Sequence, residues 1–427
     1  MFGKKSKNTE NQATEASAPS AFVSKLKDLF DPEPQKEKVL RHEDFNRAGD
    51  TYYATVSAGY KVSQRMLLLI LALFLVVSVV TNFREITYDN FFYLIKDFSS
   101  AVDLESTNYD SVSYDSNRSQ FFSLYRGGLA VANPSNISVF TATGRRTMSI
   151  QSKFSSPCIT SSDKYFLIYD TAGNTFAVYN AFSKVYGEEL DYPVTYSCFS
   201  ENGNIAIVTR DISHKSLVHV YNKNFKRIFT VPSGKYAFGV AMNDAYDKLA
   251  IAYYDIGDGS GQTEIVIRNI SNTEVASKIL IDGEFLIKCG FISDGRFALI
   301  TDRSVRIYDS QFSELHAYDF SGGVISGYSI GEHGAAVSYT QQSKNVAIVF
   351  DKSGELLYNE IINDNIKDIG VCENRIFLRT DSGVIRVNSA TLEQQYLSSG
   401  QGDMLIYSID TVLICGDSKA EYLVFEE

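Results

Sequence analysis

The chain of 427 residues has 40 Lys plus Arg against 51 Asp plus Glu, a formal net charge of -11, and contains 27 Tyr and 28 Phe but no Trp. The acidic balance argues against broad contact with nucleic acid or an anionic membrane surface, because neutralising phosphates requires clustered Lys and Arg. Five Cys in this length do not make a disulfide scaffold. The length allows two or three ordinary domains or one large repeat fold.

Residues 1–65 are rich in Lys, Glu, Ser, Ala and Asn and lack apolar periodicity, which predicts a mostly disordered tail. Within it, residues 20–30 place apolar residues from Phe22 to Phe30 on one helical face, before Pro32 ends the run. This pattern fits an amphipathic helix on a membrane or a cytosolic partner. It also fits a helix that forms only transiently, since so short a helix is marginal in water.

Residues 66–83 are eighteen residues without a charge, which predicts a transmembrane helix that contacts the lipid bilayer. A signal peptide is the alternative, but 65 residues precede this run and no small-residue cleavage site follows it. The tail carries eleven Lys or Arg, two of them, Lys61 and Arg65, at the membrane edge. The positive side normally stays in the cytoplasm, so we expect a single-pass protein with its N-terminus inside and its C-terminus outside the cell.

The part predicted to be exported is strongly acidic. From residue 66 onward the chain has 29 Lys or Arg and 42 Asp or Glu, a formal charge of -13. Residues 84–107 have apolar residues at helical spacing and are predicted to form a membrane-proximal stem. Residues 108–427 are predicted to form one repeat domain.

The repeat consists of a short apolar triplet that usually ends in Asn or Asp. Successive copies are 39, 42, 47, 40, 42, 37 and 38 residues apart. Upstream of each copy, a turn signal such as Asn202-Gly203 precedes another apolar strand. The eight copies end at Thr141, Asn180, Asn222, Asn269, Asp309, Asp351, Asn388 and Glu426.

Four strands in about forty residues is the size of one propeller blade, so the period predicts an all-β, eight-bladed β-propeller, with seven blades as the alternative. The chain ends one residue after the eighth copy, which leaves no room for that blade's outermost strand. The alternating segment from Tyr109 to Asp115 is predicted to supply this strand and close the ring.

These repeats resemble the WD40-like and quinoprotein-like β-propeller superfamilies. More narrowly, they resemble an uncharacterised family of single-pass, membrane-anchored propellers in low-GC Gram-positive bacteria. The resemblance covers residues 66–427 and implies the fold more than a function. No repeat ends in Trp-Asp, and a chain without Trp lacks the tryptophans that dock quinoprotein blades or close sialidase Asp-boxes. Both departures count against quinone binding and sialidase chemistry.

The cysteines and histidines do not form a pattern typical of catalysis or metal binding. Cys158, Cys198, Cys289 and Cys372 are predicted on innermost strands as small apolar residues, with Cys415 on a following strand; a disulfide between Cys158 and Cys198 is the alternative. The five His are scattered, and no zinc, phosphate-loop or nucleophile motif is present. The loop at residues 255–264 lacks the acidic spacing of a calcium loop and is predicted to be a long hairpin. We therefore expect no cofactor and no metal.

An aspartate follows the second strand in six repeats. Loops at this position share one propeller face, so the carboxylates are predicted to lie around its mouth and attract a cation or a basic segment of a partner protein. Aspartate also caps turns through its own backbone, which is the alternative. The six candidate residues are Asp170, Asp211, Asp255, Asp302, Asp381 and Asp417.

The sequence predicts a non-enzymatic, extracellular propeller that binds a protein or a component of the cell envelope. One alternative is an extracytoplasmic hydrolase or lyase that uses dispersed side chains at the channel mouth. A second is a ligand sensor that signals through the cytosolic tail.

Overall fold

A computed structural model of the chain describes residues 48–81, 111–117, 119–162, 164–200, 202–256, 261–292 and 295–426. The chain divides into two units, Met1–Leu94 and Ile95–Glu427. The helix predicted at residues 20–30 and the stem predicted at residues 84–107 lie outside the described residues, as does the tail up to residue 47.

The first unit contains the helix α1 (Ala48–Thr81). Its segment Gly59–Val77 is long and apolar enough to cross a membrane, and it overlaps the span predicted at residues 66–83. The helix begins eighteen residues before Met66, inside the region predicted as tail. Once a helix is nucleated, each added residue gains one hydrogen bond, which explains this extension.

The second unit consists of eight four-stranded antiparallel sheets, which confirms the eight-bladed propeller and rules out seven blades. The strands of each blade are called A to D from the inner to the outer edge. Blades one to four comprise β2 (Phe121–Tyr125), β3 (Gly128–Ala132), β4 (Asn136–Phe140) and β5 (Arg146–Gln151); β6 (Pro157–Ser161), β7 (Phe166–Asp170), β8 (Thr175–Tyr179) and β9 (Lys184–Glu189); β10 (Val194–Phe199), β11 (Ile205–Arg210), β12 (Ser216–Tyr221) and β13 (Arg227–Ser233); and β14 (Tyr236–Met242), β15 (Lys248–Ile256), β16 (Gly261–Asn269) and β17 (Val275–Asp282).

The remaining four blades follow the same order, except that the last takes its outer strand from the start of the domain. They comprise β18 (Leu286–Ile292), β19 (Arg296–Thr301), β20 (Ser304–Tyr308) and β21 (Glu314–Asp319); β22 (Val324–Gly331), β23 (Gly334–Gln341), β24 (Lys344–Asp351) and β25 (Leu356–Ile362); β26 (Ile366–Cys372), β27 (Arg375–Thr380), β28 (Gly383–Asn388) and β29 (Gln394–Ser398); and β30 (Asp403–Ile406), β31 (Thr411–Cys415), β32 (Lys419–Val424) and β1 (Val112–Ser113).

Strand β1 closes the ring, as the alternating segment predicted. It pairs antiparallel with β32 through Val112 with Ala420 and Ser113 with Lys419. The Tyr114 hydroxyl extends this contact by donating to the Gly416 carbonyl at 2.7 Å. The first described strand of the domain is thereby paired with its last strand, so the sheet of blade eight has a complete outer edge.

The turns between A and B strands adopt the left-handed conformation that the turn signals predict. Gly203 has φ of 84°, and even the non-glycine residues Tyr246 and Glu373 have φ of 54° and 52°. The long hairpin predicted after Asp255 is also confirmed, since β15 and β16 stay paired out to Ile256 and Gly261. Residues 257–260 lie outside the described part of that hairpin.

The antiparallel order gives the ring two faces. The A–B turns and C–D turns lie on one, here called the A–B face, and the B–C turns and the D–A connections between blades lie on the other, here called the B–C face. Hydrophobic side chains fill the spaces between neighbouring blades, with aromatic pairs such as Phe166 and Tyr179 stacked at 5.4 Å between ring centroids. The stacked core holds both faces in fixed positions.

Candidate functional site

The six predicted aspartates lie at the ends of B strands on the B–C face. Asp170 ends β7, Asp255 lies near the end of β15, and the other four follow their B strands within two residues. Except for Asp417, each aspartate contacts the D–A connection that leads into its own blade, or the start of the A strand after it. The individual contacts differ between blades.

Two of these carboxylates bind backbone amides of the D–A connection. The buried Asp170 carboxylate accepts hydrogen bonds from the Ser155 and Ser156 amides at 3.2 and 2.6 Å. The Asp302 carboxylate accepts one from the Phe285 amide at 2.7 Å. In both cases a carboxylate satisfies amides that the strand ladder does not use, and it fastens the B–C turn to the neighbouring connection.

Asp211 combines a turn with a histidine contact. Its carboxylate accepts hydrogen bonds from the Ser213 and His214 amides and lies 2.7 Å from His214 Nδ1. Although desolvation pushes the pKa of Asp211 upward, hydrogen bonds from His214, Ser213 and Tyr192 outweigh it and hold the pKa at about 2. Asp211 therefore stays ionised, and its carboxylate is used by hydrogen bonds within its own turn.

Asp255 and Asp381 are paired with lysines, and Asp417 contacts the connection that leads into blade one through its backbone carbonyl. The Asp255 and Asp381 carboxylates lie 3.3 Å from Lys235 Nζ and 3.0 Å from Lys367 Nζ. The Asp417 carbonyl accepts a hydrogen bond from the side chain of Gln120 at 2.8 Å. Carboxylate contacts within the fold thus explain the aspartate at five of the six positions, whereas the backbone contact of Asp417 does not require an aspartate; binding of a partner by these six residues stays a prediction.

Three aromatic residues that no repeat pattern indicates form a cluster beside Asp255 and Asp302. The rings of Phe238 and Phe285 stack with centroids 5.3 Å apart, and Tyr254 packs edge-on against Phe285 at 5.1 Å. We call these three residues the aromatic cluster. Phe238 lies at an irregularity of the β14–β15 ladder, where the register shifts between Ala237 and Gly239. The extra residue of such a bulge redirects a side chain out of the regular strand.

The central channel holds a cavity of about 860 Å³ toward the A–B face. Inner strands of seven blades line it, and Tyr196, Cys198, Lys288 and Glu332 are among the polar side chains on its wall. The volume suits a small molecule or the end of a protein segment.

One register position of the A strands carries charged side chains in blades five, seven and eight. Lys288 and Asp368 are separated by Gly327 of blade six, where an added Cβ would lie 2.7 Å from the Asp368 Cα. Burial raises the pKa of Asp368 to about 6, and the nearby Asp403 carboxylate adds to the rise. Blade by blade, this position is Phe121, Cys158, Tyr196, Gly239, Lys288, Gly327, Asp368 and Asp403.

The five cysteines are free, so the alternative disulfide between Cys158 and Cys198 is not formed. Burial raises the pKa of Cys289 to about 12 and that of Cys372 to about 11. The thiolate is the nucleophilic form of cysteine, so these two thiols are inert at neutral pH. Among the described residues no group of three or more His, Cys, Asp or Glu is arranged to hold a metal ion.

Comparison with known proteins supports the fold. The model of the DUF5711 family, described as a family of unknown function, matches residues 103–396. No curated protein matches the sequence. The structure is similar to that of Sqt1 from Saccharomyces cerevisiae, with 10% identity, a TM-score of 0.54, and coverage of 75% of this chain and 100% of the other. It is also similar to the C-terminal WD40 domain of Sif2, with 13% identity, a TM-score of 0.54, and coverage of 74% and 97%. At such identities the likeness shows the β-propeller fold alone.

Proposed function

The chain belongs to the DUF5711 family, and we propose that it is a membrane-anchored propeller that binds a protein or a cell-envelope component outside the cell without catalysing a reaction. In this proposal the segment Gly59–Val77 of α1 anchors the protein and the basic tail stays in the cytoplasm. The resemblance to single-pass propellers of low-GC Gram-positive bacteria supports the same arrangement.

The observation that carries the proposal is the aromatic cluster on the B–C face. Phe285 is 46% exposed although it packs against two other rings. Aromatic side chains held rigidly at a surface are typical anchors of protein interfaces, because they bury a large area at a small entropy cost. The propeller core holds the loops around them in place.

Two candidate nucleophiles that line the cavity are held in protonated forms, which disfavours covalent catalysis there. Burial keeps the Cys289 thiol protonated and raises the pKa of the Tyr196 hydroxyl, and both line the cavity. A catalytic nucleophile needs the opposite shift or a neighbouring base. The pair of Asp211 and His214 has the geometry of an oriented base, but it lies on an exposed turn of the B–C face, outside this cavity.

Cross-linked affinity purification from membranes tests the proposal. The full-length protein and a variant lacking residues 1–60 are compared. We expect one defined complex with the full-length protein and the tail deletion. Loss of that complex on tail deletion would favour the sensor alternative. Recovery of no complex, together with turnover of a small-molecule panel by the full-length protein, would overturn the proposal in favour of an enzyme.

A further inference from the structure

The most exposed apolar side chains of the described propeller lie on the B–C face of blades three to six. Ile212 is 93% exposed, Ile256 73% and Val324 71%. Tyr236, at the start of β14 on the same face, is 54% exposed. On the A–B face the exposed large apolar residues at turns and strand ends of the described chain are exposed by 53% at most, among them Leu392 at 53%, Leu356 at 50%, Val424 at 48%, Val275 at 43% and Ile409 at 38%. Single exposed apolar residues are ordinary, but a group on one face marks an interaction surface.

The aromatic cluster lies within this region and is fixed by contacts with the propeller core and with Asp302. Phe238 packs against the core between blades four and five, and the Asp302 carboxylate fixes the backbone of Phe285. The Tyr254 ring covers Gly261 on the next strand. A rigid cluster of this kind loses little entropy when a partner covers it.

The charges around the cluster indicate which partner fits. Asp255 and Asp302 flank it, each near one cation of the chain, Lys235 Nζ at 3.3 Å and Arg303 Nε at 3.8 Å. Their side chains are still 40% and 45% exposed, so both can also meet a ligand. Tyr236 already shows that an aromatic face here accepts a cation, because Lys215 Nζ lies 5.3 Å from its ring centroid. The propeller domain at residues 108–427 is acidic, with 27 Lys or Arg against 37 Asp or Glu. Its field attracts a positively charged partner and repels an anionic membrane surface.

Building on the proposed function, we infer that the aromatic cluster and its exposed neighbours Tyr236 and Ile256 form the docking surface for a protein segment that carries apolar side chains flanked by Lys or Arg. The apolar side chains of the partner pack on Phe238, Tyr254 and Phe285. Its cationic groups meet Asp255, Asp302 and the aromatic faces. Burial of the rings supplies most of the affinity, and the carboxylates supply the preference for a basic segment.

Selection from a random peptide display library tests this surface. The probe is the library itself, and the target is the full-length protein in nanodiscs, with empty nanodiscs used for depletion. We expect selected peptides that combine Lys or Arg with apolar residues and bind Phe285→Ser at least about tenfold more weakly than the wild-type protein. Ile256→Ser, at a 73% exposed strand end, should weaken binding in the same direction without a folding defect.

The matched control is Leu392→Ser, which removes an exposed apolar side chain from the opposite face and should leave binding unchanged. Acidic peptides among the selected binders, or peptides that bind Phe285→Ser as tightly as wild type, would overturn the inference. Quenching of a fluorophore at residue 256 by brominated nanodisc lipid would overturn it too, by placing the surface on the membrane. A complex recovered in the purification above and retained by Phe285→Ser would refute this surface but leave the proposed function standing.

Discussion

At the scale of single residues, polar side chains inside the blades are matched to partners nearby. His219 is buried in β12, where its Nε2 lies 3.2 Å from the Thr209 hydroxyl and its Nδ1 lies 3.1 Å from the Thr230 hydroxyl. Burial, with a smaller contribution from the charge of Arg227, lowers its pKa to about 4. The fold therefore holds this imidazole in its neutral form.

His219 should make the propeller sensitive to acid. Its pKa is lower in the folded state than the value of about 6.5 in an unfolded chain, so stability is full above about pH 6.5 and falls as the pH drops toward 4. We expect a loss of up to about 3 kcal/mol through this residue. His219→Gln, which cannot be protonated, should show a weaker decline between pH 6.5 and 4 in thermal unfolding. Equal pH dependence in the two proteins would contradict this assignment.

The recurrence of aspartate could be read from the sequence, but its partners could not. The position of Asp302 after a B strand follows from the repeat, whereas its bond to the Phe285 amide depends on a connection seventeen residues earlier. The aromatic cluster is harder still to predict. Phe238 owes its position to a local shift in strand register, and Phe285 lies in a D–A connection outside the repeated pattern.

At the scale of elements, the closure by β1 joins the two ends of the described domain. Sequence analysis predicted this strand because the eighth repeat lacks an outer strand, and the structure confirms it with a strand of two residues. The blade number was equally predictable, since turn signals and triplets repeat at a nearly constant spacing. The helix start at Ala48 was not, because the residues before the apolar segment carry no strong start signal.

A disulfide across this closure should stabilise the ring. Ser113 and Lys419 are register partners with exposed positions, so the double variant Ser113→Cys, Lys419→Cys should form a bond without disturbing the core. Because the bond would close a loop of about three hundred residues, we expect a gain of up to about 5 kcal/mol, seen as a higher thermal midpoint. The reduced double variant is the control. A midpoint unaffected by reduction, with the bond verified by mass spectrometry, would show that closure does not limit stability.

At the scale of the whole molecule, the distribution of charge and apolar surface fits a tethered binding module. The tail is mildly basic, the span of α1 is apolar, and the part from residue 66 onward carries a formal charge of -13. The propeller then presents the aromatic cluster from a rigid ring. In the proposed function, the partners that the propeller can meet depend on the side of the membrane on which it lies.

Cysteine labelling in intact cells tests this placement most directly. Ser116 is exposed on the connection that follows β1, and Ser116→Cys in a cysteine-free background offers a single reactive site. We expect a membrane-impermeant maleimide to label it in intact cells, while Ser6→Cys in the tail is labelled only after the cells are permeabilised. Labelling of Ser116→Cys only after permeabilisation would place the propeller in the cytoplasm and contradict an extracellular binding function.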